Sequence, residues 1–131
     1  MTPELTALSL AALLGLVHVL APAQVRTRQY GIAWNAGPRD APVEAPSPLA
    51  GRLARAQANF FESFPLFAAA ILVVVVSDGS TRTTAIAAWV WLAARAAYLP
   101  IYAAGIAYLR SAAWLVSLAA LVTLLAAPLL A

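Results

Sequence analysis

Four polar side chains stand three, four and three residues apart in the stretch from Leu49 to Phe67: Arg52, Arg55, Asn59 and Glu62. On a helix of 3.6 residues per turn these positions share one face. Further on, Arg95, Tyr98 and Tyr102 are spaced three and four apart and share a face in the same way. All eight basic residues are arginine. A guanidinium keeps its charge and presents parallel donors in a rigid fork, so the chemistry these stripes suit is recognition of carboxylate or phosphate. Cysteine is absent, which removes disulfides, thiolate metal sites and thiol nucleophiles. The one histidine, His18, has no carboxylate or cysteine companions. It is expected to bond a backbone carbonyl, and no metal site is predicted.

The surroundings of these stripes are apolar. The chain has 131 residues, of which 63% are hydrophobic and 10% charged. A soluble domain carries about 25% charged residues, so this composition cannot cover a water-facing surface. It indicates an integral membrane protein. A net charge of +3, with arginines not interleaved with aromatics, argues against nucleic-acid binding.

Residues 1–131 read as a single domain of four membrane-spanning helices, about 4–25, 49–76, 83–107 and 112–130. The first span holds no formal charge from Leu5 to Ala23. Glu4 stands where a signal peptide would carry positive charge, so this span is expected to be retained. The connection from Arg26 to Pro48 carries prolines 38, 42, 46 and 48 and reads as an irregular surface loop, with Tyr30 and Trp34 as headgroup anchors. Pro65 predicts a kink in the second span, and Arg95 and Pro100 interrupt the third. One medium loop and two short turns give an up-down-up-down bundle. Arg26, Arg28, Arg39, Arg52, Arg55 and Arg110 lie toward one side and Arg82 toward the other. The positive-inside rule then places both termini outside the cytoplasm. An arginine deep in a span needs a partner within the bundle. Glu62 is the only acid in the second, third or fourth span, so an Arg95–Glu62 pair is the expected arrangement.

Two stripes of this make, in this order, resemble the MAPEG family, the membrane-associated proteins of eicosanoid and glutathione metabolism. The family's R-A-x-x-N-x-x-E motif is matched by Arg55, Ala56, Asn59 and Glu62. Its third-helix arginine with aromatics three and seven residues on is matched by Arg95, Tyr98 and Tyr102. The arginine before its fourth helix is matched by Arg110, and the Gln24–Arg26 "QVR" resembles the end of its first helix. Ser63 departs from members that place a tyrosine beside the glutamate. The resemblance covers essentially the whole chain and is closest to bacterial members, which implies a bacterial inner membrane.

What the resemblance implies is a homotrimer with glutathione as co-substrate, held between subunits. Arg52, Arg55, Asn59, Glu62, Arg95, Tyr98 and Tyr102 then look like the glutathione pocket, with Gln57 and Arg26 reaching in from the adjacent subunit. Arginines suit the two carboxylates, and Glu62 the γ-glutamyl amine. A free thiol with a pKa of about 8.5 is mostly protonated at neutral pH. A nearby fixed positive charge raises the thiolate population. Arg110 is the candidate for that role, with Ser111 as an added hydroxyl donor. Lipophilic small-molecule substrates would arrive through the membrane lipids.

The implied function is a glutathione-dependent transferase or peroxidase, with another small thiol as a possible substitute for glutathione. Two further readings compete with it. One is a non-catalytic membrane scaffold in which Arg55, Asn59 and Glu62 fix helix register. The other is a binder of anions or anionic lipids that uses the same arginines for phosphate. Arginines at helix ends such as Arg26, Arg28 and Arg52 also snorkel to headgroups without further purpose.

Overall fold

Three of the four long helices, all but the last, start at a cap written in the sequence. In the computed structural model, which describes residues 1–130, α1 (Pro3–Tyr30) begins with the Thr2 hydroxyl accepting from Leu5 N and with proline in the first turn. α3 (Pro48–Val76) repeats the device, with the Ser47 hydroxyl accepting from Ala50 N at 3.2 Å ahead of Pro48. α4 (Arg82–Ala104) opens on a capping box between Thr81 and Thr84. Such caps contribute roughly 1 kcal/mol each. Between α1 and α3 lies a short helix, α2 (Ile32–Ala36), and α5 (Ala107–Ala126) ends in a 3-10 turn, Ala127–Leu129.

Four of these helices, α1, α3, α4 and α5 with its closing turn, are long and apolar enough to cross a membrane. Among the described residues there is no strand, so the protein is an all-helical, multi-pass membrane protein. α3 and α4 pack against each other and against both remaining helices, whereas α1 and α5 sit at opposite sides. The central seam is aromatic: Phe67 of α3 stacks on Trp91 of α4 at 3.8 Å, and Phe60 lies beside them. Alanines fill the close approaches (Ala7 and Ala11 of α1, Ala70 of α3, Ala88 of α4, all buried). Small residues are what allow helices to meet closely where lipid supplies no hydrophobic drive. Large apolar side chains such as Leu13, Leu20, Leu72 and Val122 are left facing outward, as lipid contact permits. At the end of the bundle opposite Arg52, Arg55 and Arg110, the Thr84 hydroxyl donates to the buried Glu4 Oε1 at 2.6 Å and ties α1 to α4.

The elements differ from the expected ones at several places. α1 runs on to Tyr30, and Arg26 and Arg28 therefore stand on helix rather than loop. It stops where Gly31 takes φ +91°, open to glycine and strained for other residues. The following connection is partly helical and is clamped by side chains. Gln29 donates to Ala45 O and accepts from Ser47 N, and the Tyr30 hydroxyl donates to Glu44 O at 2.7 Å. Tyr30 is thus engaged within the connection and against Trp34, with ring centroids 4.5 Å apart. α3 and α4 continue through Pro65 and Pro100 without a break. Neighbouring helices and local adjustment make internal prolines tolerable in a bundle of spanning helices. α4 ends at Ala104 because Gly105 turns left-handed at φ +79°. α5 consequently begins at Ala107, and Arg110 lies within its first turn rather than before it. His18 makes no hydrogen bond to a carbonyl. It is buried with neither ring nitrogen partnered and stacks on Phe60 at 4.4 Å.

Candidate functional site

The face of α3 that carries the arginine stripe meets α4 and α5 around a cavity of about 580 Å³. Arg55, Ala58, Asn59 and Glu62 come from α3, Tyr98 and Tyr102 from α4, and Arg110, Ser111, Trp114 and Leu115 from α5. Helical spacing explains the convergence. Three and four residues make one turn, so each stripe presents its members one above the other along the cavity wall. The left-handed turn at Gly105 folds α5 back so that Arg110 returns to Tyr102.

Tyr102 is the centre of the charged end. Its hydroxyl accepts from Arg55 Nε at 3.1 Å, and the Arg110 guanidinium carbon lies 4.7 Å from the centroid of its ring. Tyr98 stands edge-on to Tyr102 at 5.4 Å. Two guanidiniums thus share one phenol ring, a cation–π arrangement that also holds them near each other. Glu62 is exposed on the cavity side of α3, and so is Arg55.

Arg95 does not pair with Glu62 as expected. It is buried, and it donates Nη1 to Asn59 Oδ1 at 2.9 Å and Nη2 to Asn59 O at 2.7 Å. Its guanidinium also lies 5.0 Å from the Tyr98 ring centroid. Asn59 answers the fork with two oxygens, its amide and its own carbonyl, while Glu62 points one turn onward into the cavity. Arg95 therefore stands behind the cavity wall and holds Asn59 and Tyr98 rather than lining the space.

The remaining predicted residues fall elsewhere. Arg52 donates Nε to Ala103 O at 2.9 Å, which joins α3 to the end of α4, and it faces a smaller neighbouring cavity. Gln57 lies two residues from Arg55, about 200° around the helix, and lines neither space. Arg26 stands on α1, which contributes nothing to this cavity. Ser111 lines the cavity, with its hydroxyl donating to Ala107 O at 3.3 Å. Trp114 and Leu115 were missed. They follow Arg110 and Ser111 by one turn, and that i, i+4 spacing was the available signal. Trp114 has a further place, because it borders both this cavity and a second one of about 200 Å³. The second space shares Asn59 and Glu62 with the first and runs on between α3 and α5 past Leu66, Leu118 and Leu121. Among the described residues, no three of His, Cys, Asp and Glu gather to hold a metal ion.

Two comparisons with known proteins bear on this arrangement. The model of the MAPEG family matches residues 5–130, essentially the whole chain. No curated protein matches.

Proposed function

We propose, from the premise that this chain belongs to the MAPEG family, that it is a glutathione-dependent transferase or peroxidase acting on lipophilic electrophiles. The observation that carries this reading is the 580 Å³ cavity, where Arg55, Glu62, both tyrosines and Arg110 converge from three helices. Its volume falls in the range of about 300–1,000 Å³ typical of small-molecule sites. Its donor set fits a tripeptide with two carboxylates, an amine and a thiol: guanidiniums for the carboxylates, Glu62 for the amine, phenols for the rest.

Within that reading Arg55 binds carboxylate, and its bond to Tyr102 fixes the direction of its fork. Asn59 is held by Arg95 and keeps its side chain in one pose at the wall. Arg110 supplies positive charge beside the thiol and favours the thiolate. Ser111 commits its proton to a backbone carbonyl and is left with lone pairs to offer. Glutathione bound here supplies the sulfur nucleophile. The apolar extension past Leu66 and Leu118 suits the lipophilic partner, reached from the bilayer between α3 and α5.

The assembly belongs to the same proposal. Glu62 and Arg55 are exposed on a single chain, although Glu62 lies well inside a spanning helix. A charged group there is expensive against lipid, so a ligand, a neighbouring copy or both must cover it. A homotrimer meets that need and brings Arg26 and Gln57 of an adjacent subunit toward the cavity. The proposed location is a bacterial inner membrane with both termini outside the cytoplasm. Calorimetric titration of the detergent-solubilised protein with glutathione, with glycerophosphate as the control anion, tests the reading.

A further inference from the structure

At the charged end of the bundle a separate cavity of about 220 Å³ lies between α3 and the turn joining α4 to α5. Arg52, Arg55 and Arg110 line it, and no carboxylate does. Arg52 and Arg55 are each anchored through Nε alone, to Ala103 O at 2.9 Å and to the Tyr102 hydroxyl at 3.1 Å. Their terminal nitrogens, and all of Arg110, have no acceptor among the described residues. Two glycines lie against them. A Cβ on Gly105 would stand 3.6 Å from Arg52 Nη1, and one on Gly51 would stand 3.3 Å from Arg55 Nη1.

Three guanidiniums around one small space repel one another unless an anion joins them. A carboxylate can satisfy one fork. A phosphate carries enough oxygens to answer three, and guanidinium geometry matches it in pairs. Tyr102, Gly105, Ile106 and Ala107 complete the walls, and the adjoining Tyr108 and Leu109 are exposed. Apolar and aromatic side chains flanking a basic pocket at a helix end suit the headgroup level of a bilayer. The larger cavity is by itself big enough for a tripeptide, so this one is not needed to hold it.

We propose that the 220 Å³ cavity is a phosphate subsite that takes the phosphate of a membrane phospholipid headgroup and is distinct from the thiol pocket. The distinctness rests on the proposed function, because Arg55, Tyr102 and Arg110 border both spaces; the phosphate binding does not. Phosphate held there takes up part of the charge that Arg110 offers the thiol and so links the lipid to the site.

The test is calorimetry on the solubilised full chain with two probes, inorganic phosphate and dihexanoyl phosphatidic acid, first without glutathione. Both should bind saturably, with the phosphatidic acid tighter by about tenfold. Arg52→Gln should weaken both by about tenfold or more. Arg52→Lys, which keeps a charge and a donor for Ala103, should fold like the parent and lose part of the affinity, because the fork is gone. Absence of phosphate binding, or binding undiminished in both variants, would overturn the subsite. Equal affinity for the two probes would overturn the lipid assignment. Repeated on glutathione-saturated protein, phosphate should still bind. Strict mutual exclusion would show that the cavity belongs to a carboxylate of glutathione itself. Since the first titrations contain no thiol, a failure of glutathione to bind leaves their result intact.

Discussion

Arg95 grips Asn59 twice, through Nη1 to the amide oxygen at 2.9 Å and through Nη2 to the main-chain carbonyl at 2.7 Å. Arg95 is 1% exposed while Asn59 is half-buried at the cavity wall, so the buried guanidinium depends on Asn59 for these two bonds. α3 and α4 are joined at the level of the cavity by this contact, and the cavity wall inherits its rigidity.

Replacing Asn59 by Ala should therefore lower the thermal midpoint of the solubilised protein. One hydrogen bond to a buried charged group is lost, on the order of 1.5–3 kcal/mol. Asn59→Asp keeps an acceptor in that place and should recover most of the loss. Equal midpoints for parent and Asn59→Ala would mean that the contact contributes little.

The stripes on α3 and α4 were legible because spacing alone puts their members on one face. The partner of Arg95 was not. Asn59 and Glu62 sit on the same face one turn apart, and charge favours the carboxylate in any argument from sequence. The structure favours Asn59 because one residue can offer both an amide and a carbonyl oxygen to a fork. The end of α1 was misjudged for a related reason. Arg26 and Arg28 signal the end of the apolar run, whereas the helix ends only where Gly31 turns. Trp114 was missed because its one signal, the four-residue spacing from Arg110, shows only once Arg110 is known to stand on α5 rather than before it.

Topology is tested by single-cysteine labelling at Ala36, in α2, and at Ser80, in the turn between α3 and α4. The two sites should label from opposite sides of the membrane, with Ala36 on the cytoplasmic side. Labelling of both from one side would overturn the assigned orientation.

Assembly is tested by native mass spectrometry of protein released from detergent. A trimer is the expected main species. A monomer would leave Glu62 facing lipid in the absence of ligand and would remove any role for Arg26 and Gln57 at a neighbour's cavity.

Arg110 is expected to set the thiolate population more than the affinity. It lies beside the Tyr102 ring in the first turn of α5, while Arg55 carries the bond to the Tyr102 hydroxyl. Arg110→Ala should leave the glutathione dissociation constant near the parent value. It should shift the ultraviolet titration of the bound thiol to higher pH and slow conjugation of an apolar electrophile, since the thiolate is the nucleophile. An unchanged titration and an unchanged rate would remove the role.

The most direct test of the account is calorimetric titration of glutathione into the parent protein, Arg55→Ala and Glu62→Gln, side by side. Arg55 and Glu62 line opposite ends of the stripe that faces the cavity, and each is assigned a charged group of the ligand. The parent should bind glutathione saturably and in preference to glycerophosphate. Each variant should lose on the order of 1.5–3 kcal/mol of binding, the worth of a hydrogen bond to a charged group. Folded variants that bind glutathione as tightly as the parent, or a parent that does not bind it at all, would contradict the assignment of this cavity.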